Sequence, residues 1–166
     1  MPAADIKQHD RRPAKLTNRN LPLLLLEARE QVIARFRPHL NQHGITEQQW
    51  RVIRVLLETG PLESREISAR CQISSPSLAG VLSRMGSMDL VTRERLGSDQ
   101  RRVRVSLTRR SRDLAARMAP RINATYRQIE SCLGAEACGR LYAVLDEVID
   151  ALATPRAASA RKSAER

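Results

Sequence analysis

The sequence predicts a mainly α-helical fold of the α+β type, in which two short helices lead directly into a two-stranded β-hairpin. Three observations support this prediction. Apolar residues recur at helical spacing through most of residues 18–153. Polar or charged side chains and branched apolar side chains alternate strictly over residues 102–107, as expected for a strand with one buried face. Residues 97–100, just before this strand, are Gly-Ser-Asp-Gln, and such residues are typical of a turn.

The first predicted helix covers residues 21 to about 40. Pro22 is tolerated there because an amide in the first helical turn needs no partner within the helix, and Gly44 follows the helix end. The second helix begins after Thr46, which can form a capping box with Gln49. A Gly-Pro pair ends it. Its predicted apolar stripe consists of Trp50, Ile53, Leu56 and Leu57.

Two short helices joined by residues 71–74 predict a helix-turn-helix, although other helical hairpins share this pattern. Ile67 of the first short helix faces inward. The second begins after Ser74, which can cap it, and Pro76 fits its first turn. Its inward face consists of Leu78, Val81, Leu82 and Met85. Its outward face is left with Ser75, Ser77, Gly80, Ser83 and Arg84.

The hairpin that follows makes this unit a winged helix-turn-helix with a two-stranded β wing. One side of the second strand, formed by Val103, Val105 and Leu107, is expected to anchor it to the core. The other side, formed by Arg102, Arg104 and Ser106, then faces outward. Arg101 lies at the edge of the tip, where it can enter the minor groove of DNA, whose negative potential attracts arginine. Asp99 is placed to orient its guanidinium group.

The net charge of +11 is carried mostly by arginine and is concentrated around the hairpin. Between residues 90 and 112, eight arginines and two acidic residues give a local charge of +6. Arginine suits two-pronged contact with phosphate or guanine, and the low aromatic content disfavours a single-strand binder. Double-stranded DNA is therefore the predicted partner, and a charged edge hairpin that avoids aggregation is the alternative. The predicted DNA-binding residues are Ser75, Ser77, Gly80, Ser83, Arg84, Arg93, Arg95, Asp99, Arg101, Arg102 and Arg104.

Two further helical patterns follow the hairpin. The first consists of Leu114, Met118, Ile122, Ile129 and Leu133, and the second of Leu141, Leu145, Val148 and Leu152. In the last helix, Tyr142, Val144 and Ile149 lie on other faces, and a helix that is apolar on more than one face needs more than one neighbour. We therefore expect a homodimer, with a larger monomeric core as the alternative.

The expected organisation is a flexible arm over residues 1–17, a DNA-binding domain over 46–108 and a flexible tail over 154–166. Residues 18–45 and 109–153 form the helical dimerisation region. Since the chain shows neither an apolar leader nor a membrane span, we expect a cytoplasmic location and no membrane partner. The three cysteines lack C-x-x-C spacing, so free buried thiols are expected.

The segments ITEQQW, GPLESREIS, SSPSLAGVLSRM and LVTRERLGSDQRRVRVSLT occur in the order found in the MarR family of transcriptional regulators. The chain resembles this family over roughly residues 16–150. LTNRNLPLLLLEARE and FRPHLNQHGITEQQWRVIR are also similar to the branch that regulates the catabolism of homoprotocatechuate and related aromatic acids, or to regulators of nicotinate degradation.

The resemblance implies a homodimer on a pseudo-palindromic operator, with effector pockets between the dimerisation layer and the winged helix. By position, residues 75–84 match the recognition helix of the family, and Asp99 and Arg101 match its wing residues. Arg109 and Ser111 stand where the family commonly has proline and glycine, which puts the turn after the wing in doubt.

A candidate effector site lies near the ends of the first helix and the start of the second. Arginine suits a carboxylate, and indole or imidazole can flank a ring; a small aromatic carboxylate is therefore the predicted effector. The candidate residues are Asn18, Arg19, His39, His43, Trp50 and Arg54. A core position for Trp50 and helix capping by the histidines are the alternatives. The two histidines lack further ligands, so no metal and no cofactor are predicted.

The predicted function is a ligand-responsive repressor of aromatic-acid catabolic or related genes. A DNA-binding architectural protein without an effector is one alternative, and a redox-sensing regulator acting through Cys71 is another. No nucleophile, base and acid stand at catalytic spacing, and no glycine-rich phosphate loop occurs, so an enzyme is not expected.

Overall fold

The computed structural model describes residues 17–95 and 103–153. The helices in these residues are α1 (Leu21–Gln42), α2 (Glu47–Thr59), α3 (Ser64–Cys71), α4 (Ser75–Ser87), α5 (Arg109–Leu133) and α6 (Ala135–Ala151). The strands are β1 (Leu62–Glu63), β2 (Val91–Arg95) and β3 (Val103–Leu107). The mainly α-helical winged helix-turn-helix is thus formed as predicted. None of the helices in the described residues has both the length and the apolar run needed to cross a membrane.

The sheet has one strand more than the two-stranded wing that the sequence predicted. Its order is β1-β3-β2, and both pairings are antiparallel. Leu62 of β1 lies opposite Val105, and Val91 of β2 lies opposite Leu107. Sequence patterns missed β1 because two residues are too few to show alternation. Its pairing makes β3 the central strand and holds the base of the wing beside the start of α3.

Helix α2 begins as predicted but buries a different face. The Thr46 hydroxyl accepts a hydrogen bond from the Gln49 amide at 3.3 Å, and the Gln49 side chain accepts one from the Thr46 amide at 2.9 Å. The buried residues are Gln49, Val52, Ile53 and Leu56. Trp50 is only partly buried and Leu57 is 43 % exposed. The predicted stripe is therefore wrong at Leu57, whereas Trp50 packs against the core and Ile53 and Leu56 lie within it.

The helix-turn-helix core follows the predicted pattern. Ile67 of α3 is fully buried, and so are the four predicted inward residues of α4, Leu78, Val81, Leu82 and Met85. Gln72 ends α3 in the left-handed conformation, with φ of 50°. Ser74 stands at the N-cap of α4 but makes no side-chain cap, and its hydroxyl donates to the Ser77 hydroxyl at 2.9 Å.

A short junction at Thr108 connects the wing to α5. The Thr108 hydroxyl donates to the carbonyl oxygen of Asp89 at 2.8 Å and accepts from the amide of Ser111 at 3.2 Å. The Thr108 amide donates to the carbonyl oxygen of Leu90 at 3.2 Å. Ser111 is fully buried and donates to the Thr108 carbonyl oxygen at 3.0 Å. The turn after the wing, where the sequence lacks the proline and glycine common in the family, is therefore the capped start of α5.

A chain of charged side chains joins α1 to the helix-turn-helix. Arg29 of α1 forms an ion pair with Glu47, in the first turn of α2. Glu47 also pairs with Arg51, one turn further along α2, at 2.6 Å. Arg51 in turn donates to the carbonyl oxygen of Cys71, the last residue of α3, at 2.7 Å.

The outer helices leave much apolar surface uncovered within one chain. Leu114, Met118 and Ile122 of α5 are buried as predicted, but Leu133 is 47 % exposed. Helix α6 has no buried residue at all. The exposed apolar side chains of α1, of α6 and of the residue that follows α6 include Leu21, Leu23, Leu25, Leu26, Leu141, Tyr142, Val144, Ile149 and Leu152.

Candidate DNA-binding surface and effector pocket

The outer face of α4 presents the residues expected of a recognition helix. Ser75, Ser77, Ser83 and Arg84 are exposed, while Gly80 is partly buried. A side chain at Gly80 would begin 3.7 Å from the Arg84 guanidinium group. That group therefore lies back over the glycine. With its four apolar residues buried, α4 turns this polar face to solvent.

Arg93 of β2 is used partly within the fold. Its guanidinium group donates to the carbonyl oxygen of Leu82 at 3.0 Å, close to the C-terminal end of α4. The same group lies 3.4 Å from where a Cβ atom at Gly86 would stand. Arg93 thus braces the wing against the recognition helix, a role that the sequence did not indicate.

The strand register divides the wing arginines between the two faces of the sheet. Arg93 and Arg95 lie opposite Val105 and Val103, so they emerge on the face that carries the valines. Of these two valines, Val105 is fully buried, whereas Val103 is only partly so. Alternation in β3 predicted an outward side only for Arg102 and Arg104, and it carries no information about the face on which Arg93 and Arg95 lie.

Arg104 lies on the opposite face, between two acidic neighbours. The register places it opposite Glu94 of β2 and opposite Glu63 of β1. Arg104 and Arg95 are both exposed. The remaining predicted wing contacts, Asp99, Arg101 and Arg102, lie outside the described residues, so their role stays a prediction.

A cavity of about 310 Å³ lies between α2 and α5. This volume is at the lower end of the range for small-molecule sites, roughly 300–1,000 Å³. Its lining from α2 is Trp50, Arg54 and Leu57, and its lining from α5 is Arg112, Ala115, Ala116, Ala119, Ile122 and Asn123. The cavity thus combines an indole, an alanine-rich wall and two guanidinium groups.

Arg54 already has partners within the chain. Its Nε and Nη2 atoms donate to the same carboxylate oxygen of Glu58, at 3.0 and 2.6 Å. These bonds to Glu58, together with the nearby hydroxyl of Tyr126, raise the pKa of Arg54 above its usual value. The Tyr126 ring packs against Phe36 of α1 with 4.9 Å between the ring centroids. The Arg54 edge of the cavity is therefore linked to the helical layer.

The structure brings two of the six predicted effector residues to this cavity. Trp50 and Arg54 line it; the other four predicted residues, Asn18, Arg19, His39 and His43, do not. The α5 wall was missed because periodicity in α5 follows its large apolar residues, whereas three of the six residues that line the cavity from α5 are alanines. The alanine cluster at 115, 116 and 119 was the available signal.

Comparison with known proteins identifies the family. A family model described as "MarR family" matches residues 43–102. The homoprotocatechuate degradative operon repressor of Escherichia coli is 39 % identical over 130 residues, which cover 78 % of this chain and 88 % of the repressor. The chain belongs to the MarR family. It is accordingly a transcriptional regulator with a winged-helix DNA-binding fold.

Two solved structures resemble the structure of this chain closely. The transcriptional regulator PA4135 is 39 % identical with a TM-score of 0.78, and the match covers 82 % of this chain and 100 % of that chain. NadR in complex with 4-hydroxyphenylacetate is 36 % identical with a TM-score of 0.70, over 82 % of this chain and 97 % of NadR. The regulators among these relatives are named for control of transcription and not for an enzymatic activity.

His39 and His43, at the C-terminal end of α1, differ in their surroundings. His39 is partly buried, and its Nδ1 atom has no hydrogen-bond partner among the described residues. His43 stands at the C-cap of α1, where its amide donates to the carbonyl oxygen of Leu40 at 3.0 Å. Within residues 17–95 and 103–153, no three metal-binding side chains cluster around either histidine.

Cys71, the candidate redox-sensing residue, is fully buried at the C-terminal end of α3. Burial raises the pKa of its thiol to about 11, against the opposing influence of the nearby Arg51. Because the thiolate is the form that reacts with oxidants, this environment disfavours a sensing role.

We expect Cys71 to resist alkylation near neutral pH. With a pKa of about 11, roughly one Cys71 thiol in three thousand is ionised at about pH 7.5. Iodoacetamide should therefore modify native Cys71 at least about a hundredfold more slowly than Cys71 of the chain in guanidinium chloride, and the rate should rise with pH toward 11. Peptide mass spectrometry measures both rates. Native labelling within about threefold of the unfolded rate would contradict this assignment.

Proposed function

We propose that the chain is a homodimeric repressor of genes for aromatic-acid catabolism or a related process, released from its operator by a small aromatic carboxylate. The observation that carries the proposal is the cavity between α2 and α5, lined by Trp50, Arg54 and Arg112. It lies between α2 of the proposed DNA-binding domain and α5 of the proposed helical layer. A ligand in the cavity could therefore change the orientation of the DNA-binding domain relative to the helical layer.

The DNA-binding role is supported by the arrangement of α4 and the wing. The exposed serines and Gly80 of α4 let its backbone approach a groove closely, and Arg84 can contact guanine or phosphate. The excess of arginine around the wing favours a polyanion, and the scarcity of aromatic side chains favours a duplex. In a dimer, two recognition helices about 34 Å apart would fit a pseudo-palindromic operator.

The homodimer is supported by the uncovered apolar side chains of α1 and α6. None of the 17 residues of α6 is buried, so its own chain leaves most of the apolar surface of this helix uncovered. The first turns of α1 are equally apolar, with Leu21 at 53 % and Leu26 at 54 % exposure. A second copy that packs these helices together would bury both surfaces.

The aromatic carboxylate is supported by the chemistry of the cavity. The Trp50 indole can flank a ring, the alanines leave space for a flat ligand, and guanidinium groups suit a carboxylate. The structures of relatives add weight, because NadR is bound to 4-hydroxyphenylacetate and another relative represses a homoprotocatechuate degradative operon. Release would follow if the ligand binds more tightly to a dimer whose recognition helices do not match the operator.

For DNA binding, we expect Arg84→Ala to weaken operator affinity by about 1–3 kcal/mol, because it removes a contact from the recognition helix. Arg127→Ala, an equal charge loss in the C-terminal half of α5, is the control and should change affinity much less. Fluorescence anisotropy at matched salt, on an operator located by footprinting upstream of the gene, measures both. Equal losses in the two variants would point to general charge attraction and count against the assigned role of α4.

For dimerisation, we expect Val144→Asp to raise the dimer Kd by about a hundredfold or more, because it buries an unpaired carboxylate. Val144 is 53 % exposed within one chain, so the change leaves the chain's own core intact. Gln48→Asp, at an exposed position of α2, is the control. Sedimentation equilibrium measures the Kd. A wild-type chain that is monomeric at tens of micromolar would rule out the proposed homodimer.

For the effector, hydroxylated benzoates, phenylacetates and pyridine carboxylates form the test panel. At about 100 times its Kd, a true effector should raise the Tm by roughly 5 °C or more and release the operator. Trp50→Ala should abolish both effects, whereas Arg65→Ala, on the exposed surface of α3, should keep them. If no compound stabilises the wild type, the protein acts without such an effector, as an architectural DNA-binding protein would.

A further inference from the structure

The turn between α3 and α4, residues 71–74, sets the direction in which α4 leaves the core. Within this helix pair, the Ser68 hydroxyl donates to the carbonyl oxygen of Ile73 at 2.6 Å, and the Ile73 amide donates to that of Ser68 at 3.1 Å. Cys71 and Ile73 are both buried. Whatever holds this turn to the rest of the protein therefore decides how α4 is presented to DNA.

Arg51 of α2 bonds to this turn from outside the helix pair. Its Nη1 atom donates to the carbonyl oxygen of Cys71 at 2.7 Å, and its Nη2 atom donates to the carboxylate of Glu47 at 2.6 Å. Cys71 is the last residue of α3, and the last carbonyl groups of a helix have no partner within it and carry partial negative charge. A planar guanidinium group suits such a place because its N–H groups point in fixed directions and reach two acceptors at once.

The carboxylate of Glu47 restricts where the Arg51 side chain can lie. Its Oε1 atom accepts from Arg51 and also from Arg29 of α1. Glu47 is the least exposed of these three side chains, at 23 %, and Arg51 is 32 % exposed. A partly buried guanidinium group that is bonded through two nitrogen atoms has little freedom to turn away from Cys71. Glu47 therefore orients Arg51, and Arg29 extends the contact to α1.

A second arginine–glutamate pair on α2 offers a matched comparison. Arg54 donates to Glu58 at 3.0 and 2.6 Å from its Nε and Nη2 atoms. Both pairs join positions four apart on the same helix, and such pairs contribute little to stability by themselves. The bond to the backbone of residues 71–74 is what distinguishes Arg51.

We propose that Arg51 is a positioning residue for DNA reading: it holds the C-terminal end of α3 and, through the turn, sets the orientation of α4. Glu47 keeps the guanidinium group of Arg51 directed at the Cys71 carbonyl oxygen. Arg51 thereby acts through α4 and not by contact with DNA. This inference rests on the proposed role of α4 as the recognition helix.

The test compares binding to the operator with binding to a scrambled duplex of the same length and base composition. The variants of the full-length protein are Arg51→Met, Arg51→Lys, Glu47→Ala and the double variant of Glu47→Ala with Arg51→Met. The controls are Arg127→Met, a charge loss on α5, and Glu58→Ala, an acid of α2 whose pair stays within that helix. Fluorescence anisotropy at one fixed salt concentration, without effector, measures each affinity. Circular dichroism establishes that each variant is folded.

The expected result for Arg51 is a loss of sequence discrimination. Arg51→Met should weaken operator binding by roughly ten- to a hundredfold, the usual effect of losing a hydrogen bond to a charged group. Its affinity for the scrambled duplex should fall no further than that of Arg127→Met, since a misplaced α4 still presents the same charges. Arg51→Lys, which has a single side-chain nitrogen atom, should lie between the wild type and Arg51→Met. Amide hydrogen exchange at residues 72 and 73 should become at least about fivefold faster in Arg51→Met.

For Glu47, the sign of the effect is decisive. If charge alone counts, the loss of an acid strengthens binding to a polyanion, as Glu58→Ala should show. If Glu47 orients Arg51, Glu47→Ala should instead weaken operator binding by about threefold or more, and the double variant should bind no worse than Arg51→Met, because both residues act through one contact.

Two results with Arg51→Met overturn the inference. Equal losses on the operator and on the scrambled duplex would assign Arg51 a direct phosphate contact, and unchanged operator affinity with unchanged hydrogen exchange would leave it without a role. Arg84→Ala separates this failure from that of the proposed function. A loss in Arg84→Ala with none in Arg51→Met refutes only the positioning role, whereas no loss in either variant refutes the role of α4 as well.

Discussion

The junction at Thr108 is the constraint on which the DNA-binding end of the molecule depends. Four hydrogen bonds within a few residues fix the end of β3, the start of α5 and the segment that leaves α4. Ser111 is buried with its hydroxyl satisfied, so displacing this turn would leave polar groups unpaired. These bonds connect the end of β3 and the segment after α4 directly to the start of α5.

Sequence patterns predicted the fold well wherever a local physical rule decides the structure. The capping box at Thr46, the apolar face of α4 and the alternation in β3 each act over a few residues, so each could be recognised without tertiary information. The strand β1 was missed because its two residues acquire strand structure only by pairing with β3. The face of α2 was predicted wrongly at Leu57 because neighbours on two sides, not one, decide which residues are covered.

The candidate site was predictable only in part, for a related reason. Trp50 and Arg54 were identified because their chemistry is distinctive, whereas half of the opposing wall consists of alanines, whose only signal is their small size. The split of the wing arginines between two faces depends on the register between β2 and β3, which no single strand reveals. His39 and His43, four residues apart, were predicted to lie near Trp50, yet neither lines the cavity.

The charged chain from Arg29 through Glu47 and Arg51 to Cys71 has a consequence for experiments on DNA affinity. Its side chains are between 23 % and 47 % exposed, so dissolved ions can screen these attractions. Added salt therefore has two effects. It screens the phosphates of the duplex, and it weakens the ion pairs that link α1 to α2 and α3. The dependence of DNA affinity on ionic strength then reports more than the release of counterions from DNA, because part of it comes from weaker ion pairs inside the protein.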